Sequence, residues 1–492
     1  MREKIKKIPL LVKNISDILI KNGFEAYFVG GCVRSLVLQT KPKDWDITTN
    51  AKPEEIQRLF PHSVYENKYG TVGVINETED ETLKVVEITP YRLESSYTDK
   101  RRPDNVSFTP NIEKDLKRRD FTINAMALAI NKEGHKLIDL FSGQEDIVNK
   151  IIKAVGDPDN RFNEDALRIL RAIRLACELD FEIEIETKNA IKKHSGGLKE
   201  IAQERIHDEF IKIIMSDKAK EGIEMMHELG ILKYILPEIE DGIDIEQNKA
   251  HSFTVWEHNL KSLEYAVFKK WPLEIRLAAL LHDVAKPATR KWGEAKGDWT
   301  FYGHDVVGAK MTAKILTRLK FSKKSIDLIS KLVRYHLFFS DTEVVTLSAV
   351  RRLVRNVGQE NIWDLMNVRF CDRIGMGRPK ESPYRLRKYE AMIEEAMRAP
   401  LSVTALKIDG IRLMELLKIQ PGPKIGQILN ILFEEVLDDP EKNTAKYLEK
   451  KAIELNNLSD KELENLAKQA KDKKTELEQS EIKEIRQKWW VK

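Results

Sequence analysis

The chain has 492 residues, of which 42% are hydrophobic and 33% are charged. This balance excludes a collagen-like, low-complexity or largely disordered chain and allows about three ordinary domains. The formal net charge is only +4, so a surface that attracts nucleic acid would have to be local. Three scattered cysteines form no CxxC pair, which favours a reducing cytoplasm, and no apolar run is long enough for a secretory signal or a membrane span.

The first 150 residues mix short β-branched and aromatic runs with helical segments, which predicts an α/β domain. The predicted strands lie at Tyr27–Val29, around Ile47, at Thr71–Ile75 and at Leu83–Ile88. From about Ala166 onward, apolar residues recur at three- and four-residue spacing, so nearly all of the rest reads as helix. We therefore predict an α/β head followed by an all-α remainder.

Two carboxylates follow a glycine turn near the start of the head. Gly30 and Gly31 end a predicted strand, let the backbone approach a ligand closely, and open a helical segment whose amides can bind phosphate. Asp44 and Asp46 are two positions apart, so on a strand their side chains share one face. Mg²⁺ would relieve the repulsion between two such carboxylates, although a DxD pair alone could equally be a solvated strand edge.

The glycine turn, Arg34 and the DxD pair together resemble the nucleotidyltransferase head of the polymerase-β superfamily. The resemblance implies a third carboxylate on a neighbouring strand. Glu87, at the end of another strand-like run, is the candidate.

Arginines dominate the next two motifs. The segment LKRRDFTINAMAL carries Arg119 in an adjacent pair that suits a triphosphate but could also be a basic surface turn. In EDALRILRAIR, Asp165, Arg168, Arg171 and Arg174 follow at three-residue intervals and would form one stripe on a helix. The stripe is either a salt-bridged exposed face or, since three arginines face one acid, a site for phosphate or a base edge.

At this point residues 25–215 resemble class II CCA-adding tRNA nucleotidyltransferases and bacterial poly(A) polymerases. The motifs GGxVR with DxD, RRDxxxNA, VGDPxxRF, EDxLRxLRAxR and ERIxxE occur in the family's order. The resemblance implies Mg²⁺ at Asp44 and Asp46, with Asp165 and Arg168 pairing with incoming CTP or ATP as a protein template. The implied nucleotide contacts are Gly31, Arg34, Arg119, Asp165, Arg168, Arg171 and Arg174.

Two further segments qualify this resemblance. The family usually has Asp after the motif's arginine, where this chain has Ser35, which puts in doubt only that residue's supporting role. Residues 93–108 resemble the family's flexible loop, whose presence argues for an enzyme able to add A. The resemblance thus implies addition of C, C and A to tRNA by two-metal phosphoryl transfer. An A-adding enzyme and a poly(A) polymerase share these motifs and stay open as alternatives.

A histidine–aspartate set occupies predicted helices in the middle of the chain. Imidazole and carboxylate together suit Mn²⁺, Fe²⁺, Ni²⁺ or Mg²⁺ rather than a thiolate zinc site. The set resembles an HD-domain metal-dependent phosphohydrolase, which implies one metal at His258, His282, Asp283 and Asp372 and a possible second at His304 and His336. Such a domain either serves as a scaffold or hydrolyses phosphates at RNA 3′ ends.

These observations predict four regions: a nucleotidyltransferase head (1–150), a helical neck for nucleotide selection and RNA binding (151–245), an HD domain (246–378) and a helical tRNA-binding body with its tail (379–492). The last fifty residues are rich in Lys and Glu and could be a solvated tail or a contact to the tRNA elbow. We expect tRNA, CTP and ATP as partners and no membrane, and the sequence carries no signal of oligomeric state.

Overall fold

The computed structural model divides the chain into two compact units: Met1–His336 with Met366–Pro379, and Leu337–Leu365 with Lys380–Lys492. No described helix is both long enough and apolar enough to cross a membrane. The residues that the structure describes are 8–65, 70–95, 105–131, 134–248, 252–338, 345–397 and 406–491.

The head is built on one seven-stranded mixed sheet. Its strands are β1 (Ala26–Val29), β2 (Asp46–Thr49), β3 (Ser63–Tyr65), β4 (Val72–Ile75), β5 (Val85–Pro90), β8 (Met126–Asn131) and β9 (Gly134–Asp139). They lie in the order β3-β4-β5-β2-β1-β8-β9, and β2 pairs with β5 in parallel whereas the other neighbours are antiparallel. The predicted strands therefore exist, and β1 and β2 lie near the middle of the sheet. The prediction that Asp44 and Asp46 share a strand is wrong for Asp44, because β2 begins at Asp46 and Asp44 lies in the bend before it.

Apolar side chains of the central strands explain why this sheet forms. Phe28, Ile47, Val86 and Ile88 are completely buried, as β-branched and aromatic residues are when a strand is covered by helices. The covering helices of the head are α1 (Leu10–Lys21), α2 (Gly31–Leu38), α3 (Pro53–Leu59), α4 (Ile112–Lys117) and α5 (Gly143–Val148).

A separate hairpin, β6 (Arg92–Ser95) and β7 (Asn105–Phe108), pairs antiparallel beside the main sheet. These two strands form both ends of the segment predicted as a loop at residues 93–108, so the loop prediction is wrong for residues 93–95 and 105–108. Residues 96–104 of that loop lie outside the described residues.

The rest of the first unit is mainly helical, as predicted. The predicted apolar stripe of Leu167, Leu170, Ile173 and Cys177 is buried in one helix. Two small two-stranded pieces interrupt the helices: β10 (Ile151–Ile152) with β11 (Glu182–Ile183), and β12 (Lys291–Gly293) with β13 (Asp298–Thr300). The helices are α6 (Pro158–Glu164), α7 (Leu167–Leu179), α8 (Ile185–His194), α9 (Gln203–Met215), α10 (Ala219–Glu228), α11 (Pro237–Glu240), α12 (Val255–Phe268), α13 (Leu273–Leu281), α14 (Lys286–Thr289), α15 (His304–Arg318) and α16 (Lys323–Tyr335).

The second unit has its own apolar core, with Leu413, Ile428, Leu432 and Leu448 at its centre. The Lys/Glu-rich segment is a helix whose end is packed, because Trp489 donates a 2.7 Å hydrogen bond to Glu394 and stacks on Trp363. The remaining helices are α17 (Leu347–Val357), α18 (Ile362–Gly375), whose residues from Met366 belong to the first unit, α19 (Tyr384–Met397), α20 (Gly410–Leu417), α21 (Pro423–Asp438), α22 (Ala445–Asn456) and α23 (Asp460–Lys488).

Candidate active site and metal centre

The two predicted carboxylates of the head meet at the glycine turn. A Cβ atom on Gly30 would lie 3.3 Å from Asp46 Oδ2, and one on Gly31 would lie 3.4 Å from Asp44 Oδ1. Gly30 has φ +71°, a conformation that residues with side chains rarely adopt. Beneath them, burial raises the pKa of the Cys32 thiol to about 12, with the charges of Asp46 and Asp44 adding to the effect. Both carboxylates therefore lie at the glycine turn, and all four residues line the same cavity.

Glu87 lies beside this pair because of strand register. On the parallel strands β2 and β5, Asp46 is the direct partner of Glu87. Directly opposed residues on neighbouring strands project to the same face, so the two side chains emerge side by side. Glu87 is exposed and lies on the sheet next to the predicted pair.

A cavity of about 680 Å³ opens at the glycine corner. It gathers most of the predicted head residues, and it also includes residues that the sequence did not single out as ligands. The predicted residues in its wall are Gly31, Arg34, Asp44, Asp46, Arg119, Arg171 and Arg174. The additional ones include Ser35, Lys41, Lys43, Asp120, Asn124, Glu178, Glu209 and Lys212. Glu87, Asp165 and Arg168 do not line it.

A buried polar chain holds two of the cavity arginines in place. Arg34 donates to Asn124 Oδ1, Asn124 donates to Asp120 Oδ1 over 3.4 Å, and Arg171 pairs with Asp120 Oδ2 at 2.8 Å. Burial alone would raise the pKa of Asp120, but Arg171 and Arg168 outweigh it and hold that pKa below its ordinary value. Asp120 is therefore an anionic anchor, and its position in RRDxxxNA was the only sequence signal for this role.

Four guanidinium groups of the cavity wall have a buried Nε that makes no hydrogen bond among the described residues. They belong to Arg34, Arg119, Arg171 and Arg174, although Arg174 Nε lies 3.2 Å from Glu209 Oε2. Buried polar groups are nearly always satisfied, so an orphaned donor in a cavity wall fits an anionic ligand. Arg119 is itself steered by Asp115, whose Oδ2 lies 3.3 Å from its Nη2.

The predicted arginine stripe is corrected in one respect. We read three arginines facing a single acid, but the structure gives each arginine its own carboxylate. Arg168 pairs with Glu164 at 2.5 Å and donates to the carbonyl of Arg118. Asp165 precedes the helix and pairs with Arg205 at 2.7 Å. The remaining pairs are Arg171 with Asp120, and Arg174 with Glu178 and Glu209. The excess positive charge inferred from the local sequence is thus largely neutralised, and two of the four acids, Asp120 and Glu209, come from distant segments.

The six predicted histidine and aspartate ligands lie in one buried cluster of the first unit. His258 lies on α12, His304 begins α15 and Asp372 lies on α18, whereas His282 and His336 follow directly after α13 and α16. Their ligand atoms form two groups, each within 4.8 Å: His258, His282 and Asp372, and then Asp283, His304 and His336.

Asp283 connects the two groups. Its Oδ2 lies 3.1 Å from His258 Nε2 and 3.3 Å from His282 Nε2, whereas its Oδ1 lies 3.3 Å from His304 Nε2 and 3.6 Å from His336 Nε2. We predicted Asp283 as a ligand of the first metal only. The geometry instead makes it a carboxylate that two metal positions could share.

Backbone carbonyls fix three of the imidazole rings. The Nδ1 atoms of His282, His304 and His336 lie 2.7 to 2.8 Å from the carbonyls of Ala279, Phe301 and Val333, each three residues earlier. A ring that donates from Nδ1 presents the lone pair of Nε2, which is the arrangement that a metal-binding histidine needs.

The charge of the cluster also fits a cation. Burial alone would raise the pKa of Asp283, but Lys286 and His282 hold it well below the ordinary value. Burial would likewise raise the pKa of Asp372, but the charge of Arg369 helps to hold it well below the ordinary value. Both oxygens of Asp283 are buried, and Lys286 Nζ lies 2.5 Å from Oδ2. Two buried carboxylates surrounded by imidazole nitrogens match the oxygen and nitrogen ligands of divalent metals.

The fold and the two sites define a nucleotidyltransferase head joined to an HD domain, and the comparisons agree. Family models match at residues 26–153 ("Poly A polymerase head domain"), 180–243 ("Probable RNA and SrmB- binding site of polymerase A") and 250–395 ("HD domain").

Among curated proteins, the CCA-adding enzyme of Ligilactobacillus salivarius is 34% identical over 456 residues, which are 91% of this chain and 97% of that protein. The CCA-adding enzyme of Leuconostoc citreum is 45% identical over 271 residues, 53% of this chain and 65% of that protein. The chain belongs to the family of CCA-adding enzymes.

Solved structures share the fold. The Bacillus stearothermophilus CCA-adding enzyme in complex with CTP is 24% identical and has a TM-score of 0.57, covering 91% of this chain and 98% of that one. The Thermotoga maritima CCA-adding enzyme complexed with tRNA is 21% identical with a TM-score of 0.52, covering 92% and 97%.

Proposed function

We propose that the protein adds C, C and A, from CTP and ATP, to the 3′ end of tRNA without a nucleic-acid template. The observation that carries this proposal is the meeting of Asp44 and Asp46 at the glycine corner, inside a cavity walled by arginines, in a chain of the CCA-adding family.

The residues of the corner fit Mg²⁺, which prefers carboxylate oxygens and retains several waters. Asp44 and Asp46 would hold the ion, with Glu87 beside Asp46 on the neighbouring strand. Bound there, Mg²⁺ would assist attack by the RNA 3′-hydroxyl on the α-phosphate and stabilise the pyrophosphate that leaves. Gly30 and Gly31 line the cavity and carry no side chain, so the triphosphate could approach their backbone.

The cavity arginines would orient the triphosphate. Arg34 and Arg119 contribute Nε donors without hydrogen bonds. Arg171 and Arg174 contribute further such donors and extend the basic wall along α7. Guanidinium groups that are held by carboxylates keep a fixed orientation, so they bind phosphate oxygens with little loss of side-chain entropy.

Base selection is assigned to Asp165 and Arg168 on the family resemblance. Both side chains carry intramolecular bonds that a nucleotide must replace, Asp165 with Arg205 and Arg168 with Glu164. Asp165→Ala is expected to lose the preference for CTP at the first two additions. Unchanged nucleotide choice, measured by sequencing the products, contradicts the template role.

The test of the main proposal is incubation of a tRNA that ends at the discriminator base with labelled CTP and ATP. Ordered incorporation of both supports CCA addition, whereas ATP alone on a tRNA ending in CC supports the A-adding alternative. Asp46→Ala should abolish incorporation while tRNA binding persists. Glu79→Ala, an exposed carboxylate of the same head that does not line the cavity, is the matched control. Retained addition in Asp46→Ala contradicts the proposal.

The histidine–aspartate cluster contains a complete set of metal ligands, which favours a second activity. We propose that this cluster is the active site of a metal-dependent phosphohydrolase that removes phosphate or cyclic phosphate from RNA 3′ ends, since such groups block nucleotide addition. The imidazole and carboxylate set fits Mn²⁺, Ni²⁺ or Fe²⁺, and the bound metal would supply an activated water. Phosphate release from an RNA 3′-phosphate in the presence of Mn²⁺ or Ni²⁺, and its loss in His282→Ala, is the expected result. Absence of release from the unmodified protein with each metal contradicts this activity.

The proposal includes the organisation and location of the protein. We propose the four regions 1–150, 151–245, 246–378 and 379–492 as head, neck, HD domain and tRNA-binding body. A reducing cytoplasm is consistent with Cys32, Cys177 and Cys371, which are all buried free thiols.

A further inference from the structure

An exposed aromatic hairpin lies next to the histidine–aspartate cluster. We name residues Arg290–Tyr302, which contain β12 and β13, the tryptophan hairpin. Trp292 and Trp299 are direct partners across the two strands, with ring centroids 5.2 Å apart in an edge-to-face arrangement. Trp292 is 55% exposed and Tyr302 is 74% exposed. Large aromatic side chains are usually much more buried than this, so their exposed ring surfaces are a distinctive feature of the hairpin.

Cationic groups are interleaved with these rings. The guanidinium carbon of Arg290 lies 3.7 Å from the ring centroid of Trp299, and Lys296 donates a 2.8 Å hydrogen bond to the hydroxyl of Tyr302. Lys291 is exposed at the start of β12. The cations Arg290, Lys291 and Lys296 exceed the acids Glu294 and Asp298, since 3 − 2 = 1. Exposed rings beside cations are the features with which proteins bind single-stranded nucleic acid, because every base has a face that can stack and every linkage a phosphate.

The tryptophan hairpin is directly continuous with the cluster. Phe301, just after β13, places its carbonyl 2.7 Å from His304 Nδ1 and thereby orients that ring. Its own ring lies 5.6 Å from Lys286 Nζ, which contacts Asp283. Tyr302 is only two residues before His304, so a strand stacked on the hairpin would end close to the buried ligands.

We propose that the tryptophan hairpin binds the unpaired 3′-terminal nucleotides of an RNA, with bases stacked on Trp292 and Tyr302, and presents the terminal phosphate to the histidine–aspartate cluster. The claim that the bound RNA presents its phosphate for hydrolysis rests on the proposed phosphohydrolase activity. The claim that the hairpin binds RNA is supported separately by the exposed rings, the cations and their position.

The direct test is photocrosslinking of the full-length protein to a five-nucleotide RNA with 4-thiouridine near its 3′-phosphate. Trypsin cleaves after Lys291, Lys296 and Lys310, which gives the peptide 292–296, wholly within the hairpin, and the peptide 297–310, which also carries His304 of the cluster. We expect the crosslinked RNA on the peptide 292–296. Absence of a crosslink on this peptide overturns the inference.

A variant series measures the contribution of stacking. Trp292→Ala is expected to weaken binding of the five-nucleotide RNA by about 5- to 100-fold, as loss of one stacked base does, and Trp292→Phe should recover most of it. Phe268→Ala, which removes an aromatic ring on α12 that is 76% exposed and lies outside the hairpin, is the control and should bind as the unmodified protein does. Thermal unfolding of Trp292→Ala at the temperature of the unmodified protein shows that this variant is folded. Unchanged RNA binding in Trp292→Ala overturns the inference.

Phosphate release distinguishes this inference from the activity on which it rests. Hairpin crosslinks without phosphate release under each metal leave the binding site in place and contradict the phosphohydrolase. Phosphate release without hairpin crosslinks contradicts the binding site and leaves the phosphohydrolase in place.

Discussion

Gly375, near the C-terminal end of α18, lets that helix approach the cluster closely. A Cβ atom at this position would lie 2.2 Å from Ser262 Oγ, 2.9 Å from the carbonyl oxygen of His258 and 3.0 Å from His258 Nδ1. The Ser262 hydroxyl could rotate away, but the backbone and ring of His258 cannot do so without moving the metal-ligating nitrogen. Gly375→Ala should therefore push α12 and α18 apart at the cluster.

The magnitude follows from the kind of contact. Overpacking a close interface by one carbon costs about 1–3 kcal/mol, and the intrinsic helical gain from Gly to Ala returns at most about 1 kcal/mol. If the net strain falls on the ligands, the affinity for Mn²⁺ should drop by up to about 30-fold.

Calorimetric titration with Mn²⁺ checks this expectation, and Gly308→Ala on α15 provides a matched control. A Cβ at Gly308 would make only ordinary contacts of 3.4 Å with Val333, 3.6 Å with Ala285 and 3.7 Å with the His282 carbonyl. Gly308→Ala should bind Mn²⁺ as the unmodified protein does. Equal affinity in both variants would refute the claim that close packing against His258 sets the geometry.

Two further predictions concern the head. Asn124→Ala removes the acceptor that holds Arg34, so kcat/KM for CTP should fall about 10- to 100-fold while tRNA binding remains. A kcat/KM within twofold of that of the unmodified protein, measured by steady-state kinetics, would show that Arg34 needs no such support. Burial would raise the pKa of Asp115, but Arg118 and Arg119 hold it below its ordinary value of 3.8. The ionised carboxylate therefore stabilises the folded protein above pH 3.8, and this contribution is lost as the pH falls through the lower pKa of the folded state. Asp115→Asn should flatten the acid limb of thermal stability below about pH 4, and an unchanged pH profile would contradict this assignment.

The sequence was most informative where a pattern is local. The DxD spacing predicted that Asp44 and Asp46 would share a site, and the strand-like run around Glu87 predicted a neighbouring strand. The parallel register of Asp46 with Glu87 was not predictable in this way, because pairing between distant strands leaves no local spacing.

Other features depended on contacts that no short segment contains. The partners of Arg171 and Arg174 come from Asp120 and Glu209, which lie far along the chain, so the arginine stripe read as more basic than it is. The shared position of Asp283 required the relative placement of several helices. The tryptophan hairpin was missed because its strands have three residues each and helical periodicity dominates its surroundings.

The backbone anchoring of His282, His304 and His336 has a consequence for how the centre would respond to losing its ion. Since the main chain at the start or end of a helix sets each ring's direction, chelation should leave the ligands in position rather than collapse the domain. Such a preformed set of ligands could take up a new ion without a folding step.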